Sequence, residues 1–387
     1  MSTDIYLDYN GSAPLDPRVL EAMAPVLRDS VGNASSVHRF GRAQAARVDL
    51  AREQVSRLVG AAATSHVIFT AGATEANNLA LQGLVSDVSP ERSRILVSAV
   101  EHASVMATAD WLAQNGRAKV DIVPVTSDGC VDLAALDEML GQDVLLVSVM
   151  AANSETGVIN DLPAIGECVA DSGAFFHSDA TQIVGRLPFD MASAGVDAAS
   201  ISGHKICGPT GVGALIVTKA MSHQLRPLLL GGGHERGRRS GSLNVSGIVG
   251  FGAASEIAAD EQSSEAIRVS GLRDALVSKL VHGLDGVSQN GSVSRRLPNT
   301  ASVRFVGADG DAVMTNMESV AVSSGSACSA GALGPSPVLL AMGVDRAAAE
   351  ESLRFSLGRF TTAGEIEEAA DRTIRAVERV RFLNGSP

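Results

Sequence analysis

The run Ser200-Ile201-Ser202-Gly203-His204-Lys205-Ile206-Cys207-Gly208-Pro209-Thr210-Gly211-Val212-Gly213 sets one lysine between polar, anion-binding residues and a glycine-rich turn. Such an amine can be a solvated lysine beside a turn, or it can form a Schiff base with an aldehyde cofactor. The sequence around it, not the tetrapeptide, has to separate the two.

Three further stretches carry compatible chemistry. Ala71-Gly72-Ala73-Thr74-Glu75-Ala76-Asn77 follows an apolar segment and opens a helical pattern. Free backbone N–H groups of Gly72, Ala73 and Thr74, with the Thr74 hydroxyl, form a cup for a phosphate, although the same pattern serves as a plain helix cap. Glu101-His102 follows another apolar segment, and His102 can lie on an aromatic ring and exchange protons near neutral pH. In His177-Ser178-Asp179-Ala180-Thr181-Gln182, Asp179 can pair with a pyridinium nitrogen, and Gln182 can hydrogen-bond a ring oxygen; the plainer role for Asp179 is a helix cap. Ser202 and His204 add donors for the phosphate. In chain order these are a phosphate cup, a ring-stacking His, a ring-nitrogen Asp and a lysine anchor, which together describe a pyridoxal 5'-phosphate (PLP) site.

The elements that must position these residues are legible from periodicity. Val67–Thr70, Ile95–Ala99, Val144–Met150, Ala174–His177, Ala198–Ile201 and Ala214–Val217 read as strands. Glu75–Leu84, Ser104–Gln114, Leu133–Leu140 and Leu162–Ala170 show helical spacing. Near-continuous apolar strands alternating with helices predict a buried, mostly parallel sheet covered on both faces. After about residue 255 the pattern changes to one or two helices over Glu256–Leu284, short strands at Ala301–Phe305, Val320–Ser323 and Leu353–Ser356, and a charged helix over Glu365–Phe382.

Composition narrows the setting. With 387 residues, 45% of them apolar, the chain suffices for about two domains. The formal charge is −12, which argues against direct, charge-driven nucleic-acid binding. No apolar run approaches the ~18 residues of a membrane span, and the start has no signal-peptide pattern. Cys130, Cys168, Cys207 and Cys328 are widely spaced, without metal-site spacing, so a reducing cytoplasm and no metal are expected.

Further fragments narrow the reading. These are Tyr6-Leu7-Asp8, Asn33-Ala34-Ser35-Ser36-Val37-His38, the segment from Ser148 to Gly157, Gly231 to Gly241, Ser323-Ser324-Gly325-Ser326-Ala327-Cys328, and Arg354 to Arg359. With the stretches above, they make the chain resemble the cysteine desulfurases, of the type that carries its nucleophile on a long loop. The resemblance runs nearly end to end and implies the fold type I architecture of PLP-dependent transferases. That architecture is a large α/β domain with a mostly parallel seven-stranded sheet, over 15–255, and a small α+β domain from 1–14 and 256–387. The nucleophile loop lies at about 323–334.

The resemblance also assigns roles. Lys205 matches the Schiff-base lysine, and Thr74, Ser202 and His204 match phosphate ligands. His102, Asp179 and Gln182 match ring contacts. Asn153 and Arg354 match residues that hold the substrate carboxylate, a task for which a planar guanidinium is suited. Cys328 matches the nucleophile that accepts sulfur from L-cysteine as a persulfide, releasing L-alanine, for delivery to an acceptor protein. A homodimer is implied, because relatives reach the neighbouring subunit's phosphate with the segment at Gly241-Ser242.

Three departures stand out: Asn10-Gly11 where a small-residue pair is usual beside the substrate, Ser242 where a threonine is usual, and Ser154 where an asparagine is common. The Ser, Gly and Ala residues flanking Cys328 argue for a loop over a packed strand, and a thiol of ordinary pKa needs a proton acceptor such as His102. The other three cysteines read as structural, although Cys207 lies close enough to Lys205 to affect access. An aminotransferase or selenocysteine lyase of the same fold is the nearest alternative, and a non-catalytic scaffold is a more distant one. Iron–sulfur assembly, tRNA thiolation and DNA sulfur modification all remain open as ends for the sulfur.

Overall fold

The structure, a computed structural model, describes residues 4–29, 31–61, 67–85, 90–317, 319–324 and 334–385. The chain starts with a two-residue strand, β1 (Ile5–Tyr6), and two helices, α1 (Pro17–Asp29) and α2 (Arg39–Leu58). Strand–helix alternation follows: β2 (Val67–Thr70), α3 (Ala73–Val85), β3 (Arg94–Ser98), α4 (Ala103–Gln114), β4 (Lys119–Val123), α5 (Leu133–Met139), β5 (Val144–Ser148), α6 (Leu162–Ala170), then β6 (Phe175–Asp179), β7 (Ala198–Ser202) and β8 (Gly213–Val217). These strands build one seven-stranded sheet in the order β2-β8-β7-β6-β5-β3-β4. Only β8 runs against its neighbours; all the other strands are parallel to one another.

Strands β2, β5, β7 and β8 are buried along their whole length, because helices cover both faces. One core cluster centres on Phe69, Val147, Phe176 and Ile201, and another, on the opposite face, on Ile68, Leu79, Val97 and Leu215. Edge strand β4 has little strand signature in the sequence. Its residues Lys119-Val120-Asp121-Ile122-Val123 alternate in character, and only Val123 is buried, so it lacks the apolar run that betrays a central strand.

Beyond the sheet lie α7 (Lys219–Gln224) and α8 (Val245–Gly283), followed by β9 (Val287–Gln289), β10 (Thr300–Phe305), α9 (Gly310–Asn316), β11 (Val320–Ala321) and β12 (Ser323–Ser324). Then come α10 (Pro337–Ala341), α11 (Arg346–Glu350), β13 (Ser352–Ser356) and α12 (Ala363–Leu383). An antiparallel sheet, β12-β13-β10-β9, has its own core around Phe305, Phe355 and Leu280. The expected strand over Val320–Ser323 is split: β11 pairs with β1, and β12 pairs with β13.

The expected helix over Glu256–Leu284 begins eleven residues earlier, at Val245, and runs as one element of 39 residues. Gly247, Gly250 and Gly252 hide its first turns, since glycine is a poor helix former. The lack of side chains at Gly250 and Gly252 is what lets α8 approach its neighbours. A Cβ at Gly252 would lie 2.7 Å from the Ala51 Cα in α2, and one at Gly250 would lie 2.5 Å from the Met23 sulfur in α1. Through Phe251 and Ala254 the helix joins the core of the large sheet, and through Leu276 and Leu280 that of the small one.

Candidate active site

Five parallel strands bring their carboxyl ends to one edge of the large sheet, where ligands of open α/β folds gather. β2 leads into Ala71, Gly72 and the first turn of α3, with Thr74; β3 leads to Glu101 and His102; β5 leads to Met150 and Ser154. Asp179 is the last residue of β6, which extends two residues past the expected end at His177. Ser202 ends β7, and a single helical turn, Gly203–Lys205, carries the lysine. The result is a cavity of about 830 Å³. Its wall includes Gly72, Ala73, Thr74, His102, Asp179, Gln182, Ser202, His204 and Lys205, joined by Asn10 and Arg354 from outside the large sheet.

The inner end is preorganised. Asp179 is buried, and its carboxylate accepts hydrogen bonds from Asn77 Nδ2 at 2.7 Å and from the Thr181 N–H at 3.0 Å. Asn77 also donates to the Ser104 hydroxyl at 2.8 Å, and that hydroxyl lies 2.8 Å from His102 Nδ1. His102 caps α4, its Nδ1 accepting the Ser104 N–H. With Nδ1 engaged as an acceptor, Nε2 is the ring nitrogen left to carry a hydrogen. Behind Asp179, buried His177 sits between the hydroxyls of Ser148 (2.8 Å) and Ser200 (3.0 Å), and burial lowers its pKa to about 4. The ring is thus a neutral cross-strand link.

Gln182 is held from two sides. Arg186 donates to its side-chain oxygen at 2.8 Å, while its own amide donates to the Asn10 carbonyl at 3.2 Å. Arg186 is pushed down to about 10 by burial. Lys205 Nζ donates to the backbone carbonyls of Asn10 and Gly11, the latter at 2.6 Å. His204 lies 3.1 Å from the Ser12 hydroxyl, and burial, with Lys205 and Arg186 nearby, lowers it to about 4, so it is neutral near pH 7. Cys207 is buried with φ 61°, and burial raises its thiol to about 11, which makes it inert. Asn77, Ser104, His177 and Arg186 were not picked out from the sequence. Asn77 was within reach: it follows Thr74 by three positions, on a helix where it is a polar residue on a buried face.

At the outer end, Arg354 comes from the middle of β13 and is 3% exposed. It donates to Asp8 Oδ1 at 2.6 Å and to the Ser154 carbonyl at 3.2 Å. The Asn10 side chain does not stand free in the cavity: it donates to the Ser154 carbonyl and Thr300 Oγ1, each at 2.9 Å, and accepts from Asn299 at 2.9 Å. Ser154 serves both neighbours through its backbone, so the departure at its side chain leaves these contacts intact. Asn153 does not line the cavity. Its amide donates to the Val100 carbonyl at 3.0 Å, and its oxygen accepts the N–H groups of Glu155 and Thr156, closing a turn. Ser242 is exposed and lies outside the cavity wall. Cys328 lies outside the described residues.

The donors suit PLP. Between Gly72 and Ser202 lies a cradle that a Gly72 Cβ would enter, 3.8 Å from the Ser202 hydroxyl, beside the free N–H groups that open α3. A carboxylate fixed by two donors and an amine on the facing turn complete a set that can hold a pyridinium ring and its aldehyde.

Comparison with known proteins agrees with this. The family described as aminotransferase class-V matches residues 5–368. A cysteine desulfurase of Frankia sp. is 46% identical over 99% of this chain and 93% of that one. The chain belongs to the class-V aminotransferases, among the cysteine desulfurases. These desulfurases are PLP-dependent enzymes with the α/β architecture described above. A solved NifS-like protein superposes with a TM-score of 0.90 at 35% identity, over 97% of this chain and all of that one. A structure described as SspA in complex with cysteine superposes with a TM-score of 0.82 at 32% identity, over 92% of this chain and all of that one. Among the described residues, no helix is long and apolar enough to cross a membrane.

Proposed function

We infer that the chain is a desulfurase that takes sulfur from L-cysteine onto Cys328 and passes it, as a persulfide, to an acceptor protein. The observation that carries this reading is the convergence of Lys205, Asp179, His102 and Arg354 on one cavity. Thr74, Ser202, His204 and the N–H groups of Gly72 and Ala73 would hold the phosphate, Asp179 the ring nitrogen, Gln182 the ring oxygen, and His102 the ring face. When bound, PLP supplies an electron sink for bonds to the substrate Cα.

Arg354 binds the substrate carboxylate and orients the thiol. Lys205 holds and moves the Cα proton, and its Nζ already rests on the Asn10 and Gly11 carbonyls. His102 exchanges a proton at Nε2, and once that hydrogen has been passed on the same nitrogen can accept the Cys328 thiol proton. The Cys328 thiolate attacks the substrate sulfur: an S–S bond forms, the Cβ–Sγ bond breaks, and its electron pair takes a proton at Cβ. L-cysteine and the Cys328 thiol thereby become L-alanine and the Cys328 persulfide, with atoms balanced. The turn-bound amide of Asn153 supports this end from behind Ser154.

We read residues 15–255 and 1–14 with 256–387 as two units sharing α8. A cytoplasmic homodimer, in which Ser242 reaches the partner's phosphate, fits the exposure of that residue; sedimentation at twice the chain mass tests it. The acceptor is best sought by capture with the Cys328 persulfide. For the reaction itself, Cys328→Ser should keep the visible absorbance of the bound cofactor and lose alanine formation from cysteine by about 10²-fold or more. Lys205→Ala should lose both. Undiminished desulfuration by either variant would sink the reading, and retained transamination without cysteine turnover would favour an aminotransferase.

A further inference from the structure

We propose that Arg239 prepares the phosphate cup by cancelling the charge of Glu75, an acid built into the rim of that cup. The inference rests on the reading of Gly72, Ala73 and Thr74 as the place of the phosphate.

Glu75 follows Thr74 in the first turn of α3, and both line the cavity. Its Oε2 accepts the Ala71 N–H at 2.7 Å, which ties the segment leaving β2 to the start of the helix. The carboxylate thus helps to shape the cup. It is also an anion at the place where another anion must settle. It shares the positive end of α3 with the phosphate and repels it.

The compensating charge comes from a residue 164 positions away. Arg239 Nε donates to Glu75 Oε1 at 2.8 Å, and Nη2 donates to Oε2 at 3.3 Å, so the guanidinium spans both oxygens. The two side chains are only 20% and 21% exposed, so water screens the pair in part. The loop that carries Arg239 is held in a strained form. Glu235 and Arg236 take φ of 48° and 55°, a region unfavourable for residues with side chains. The strain is sustained by the Glu235 carboxylate, which accepts two Arg52 N–H groups and the Phe69 N–H, each at 2.9 Å. Phe69 belongs to β2, so the loop is clamped to the strand that leads into the cup. Among the described residues, the other acids on the cavity wall are Asp8, which meets Arg354, and Asp179, at the inner end. Arg239 is therefore a positioning residue that acts through Glu75: it leaves the carboxylate its bond to Ala71 and removes its repulsion.

Charge and shape predict opposite results for one substitution. The full-length apoprotein is titrated with PLP and with pyridoxal, which lacks the phosphate, and binding is read from the visible absorbance of the bound aldehyde. Arg239→Gln leaves Glu75 uncompensated, so the Kd of PLP should rise about tenfold while that of pyridoxal stays within about twofold. Glu75→Gln keeps an oxygen that can accept the Ala71 N–H, removes the repelling charge and leaves a cation beside the cup. The Kd of PLP should then fall about threefold or more, whereas a carboxylate that served only as a tether would make it rise. The double variant should return to within about threefold of the unsubstituted chain. Glu75→Gln carries the test alone if Arg239→Gln does not fold. Weakening of both ligands alike by Arg239→Gln, or PLP bound no more tightly by Glu75→Gln, overturns the inference. The unsubstituted chain separates the two readings. If it binds pyridoxal as tightly as PLP, the cup reading itself fails. If it prefers PLP and the substitutions leave that preference unchanged, only the role of Arg239 fails.

Discussion

Asp179 shows how much of a functional group is made by neighbours that carry no chemistry themselves. Its carboxylate is aimed by Asn77, which is fully buried and whose own oxygen has no partner among the described residues. A hydrogen bond to a charged group contributes about 1.5–3 kcal/mol. Asn77→Ala should therefore weaken cofactor binding by at least about tenfold, read by titrating the apoprotein with PLP, while far-ultraviolet dichroism stays native. Arg186→Met removes the donor that fixes the Gln182 side chain. If Gln182 meets the cofactor ring as proposed, this should shift the absorbance maximum of the bound cofactor, since the Gln182 side chain would lose its fixed orientation in the cavity.

Among the elements, β8 and α8 work by omission. Gly213 on β8 presses against Gly72: a Cβ there would lie 2.7 Å from the Gly72 Cα and 2.6 Å from the Ile201 carbonyl. Neither contact is the far end of a flexible side chain, so Gly213→Ala must move the backbone of the phosphate cup. Reduced PLP affinity with a lowered melting temperature is expected, and unaltered affinity would show that the cup is not formed there. Helix α12 offers a cleaner calibration of local energetics. Thr362 and Glu365 form a reciprocal capping box, so Thr362→Ala should cost about 1 kcal/mol by chemical denaturation and leave cysteine turnover unchanged.

For the molecule as a whole, burial of ionisable groups predicts the pH dependence of stability. Burial raises Glu101 to about 8 and Glu155 to about 7. The folded state therefore holds protons that the unfolded state has released. The resulting stabilisation is complete below the ordinary glutamate range and is lost as pH rises through 7 to 8. His177 and His204 are lowered to about 4, so their contribution is present above the ordinary histidine pKa and is lost as pH falls toward 4. Between about pH 4.5 and 6.5 the two opposing slopes cancel, so the melting temperature should be nearly level there and fall on either side. Replacing Glu101 and Glu155 with Gln should flatten the alkaline limb and leave the acid one, as scanning calorimetry across that range would show.

The order of chemical groups along the chain was legible because each follows an apolar strand, and strand periodicity survives in sequence. Lys205, Asp179, His102 and Thr74 could thus be placed at one sheet edge from local pattern alone. Edge strand β4 and the glycine-rich start of α8 were not legible, since one alternates toward solvent and the other trades helix propensity for close approach.

What the sequence by itself determined was the order of the candidate groups and the sheet that presents them, because residue type and short-range spacing are local properties. What only the tertiary structure decided was the second set of contacts: Asp8 on Arg354, Arg186 on Gln182, the Asn10 and Gly11 carbonyls under Lys205. Asp8 and Arg354 are 346 residues apart, and hydrogen bonds across such a separation exist only once packing has brought the strands together.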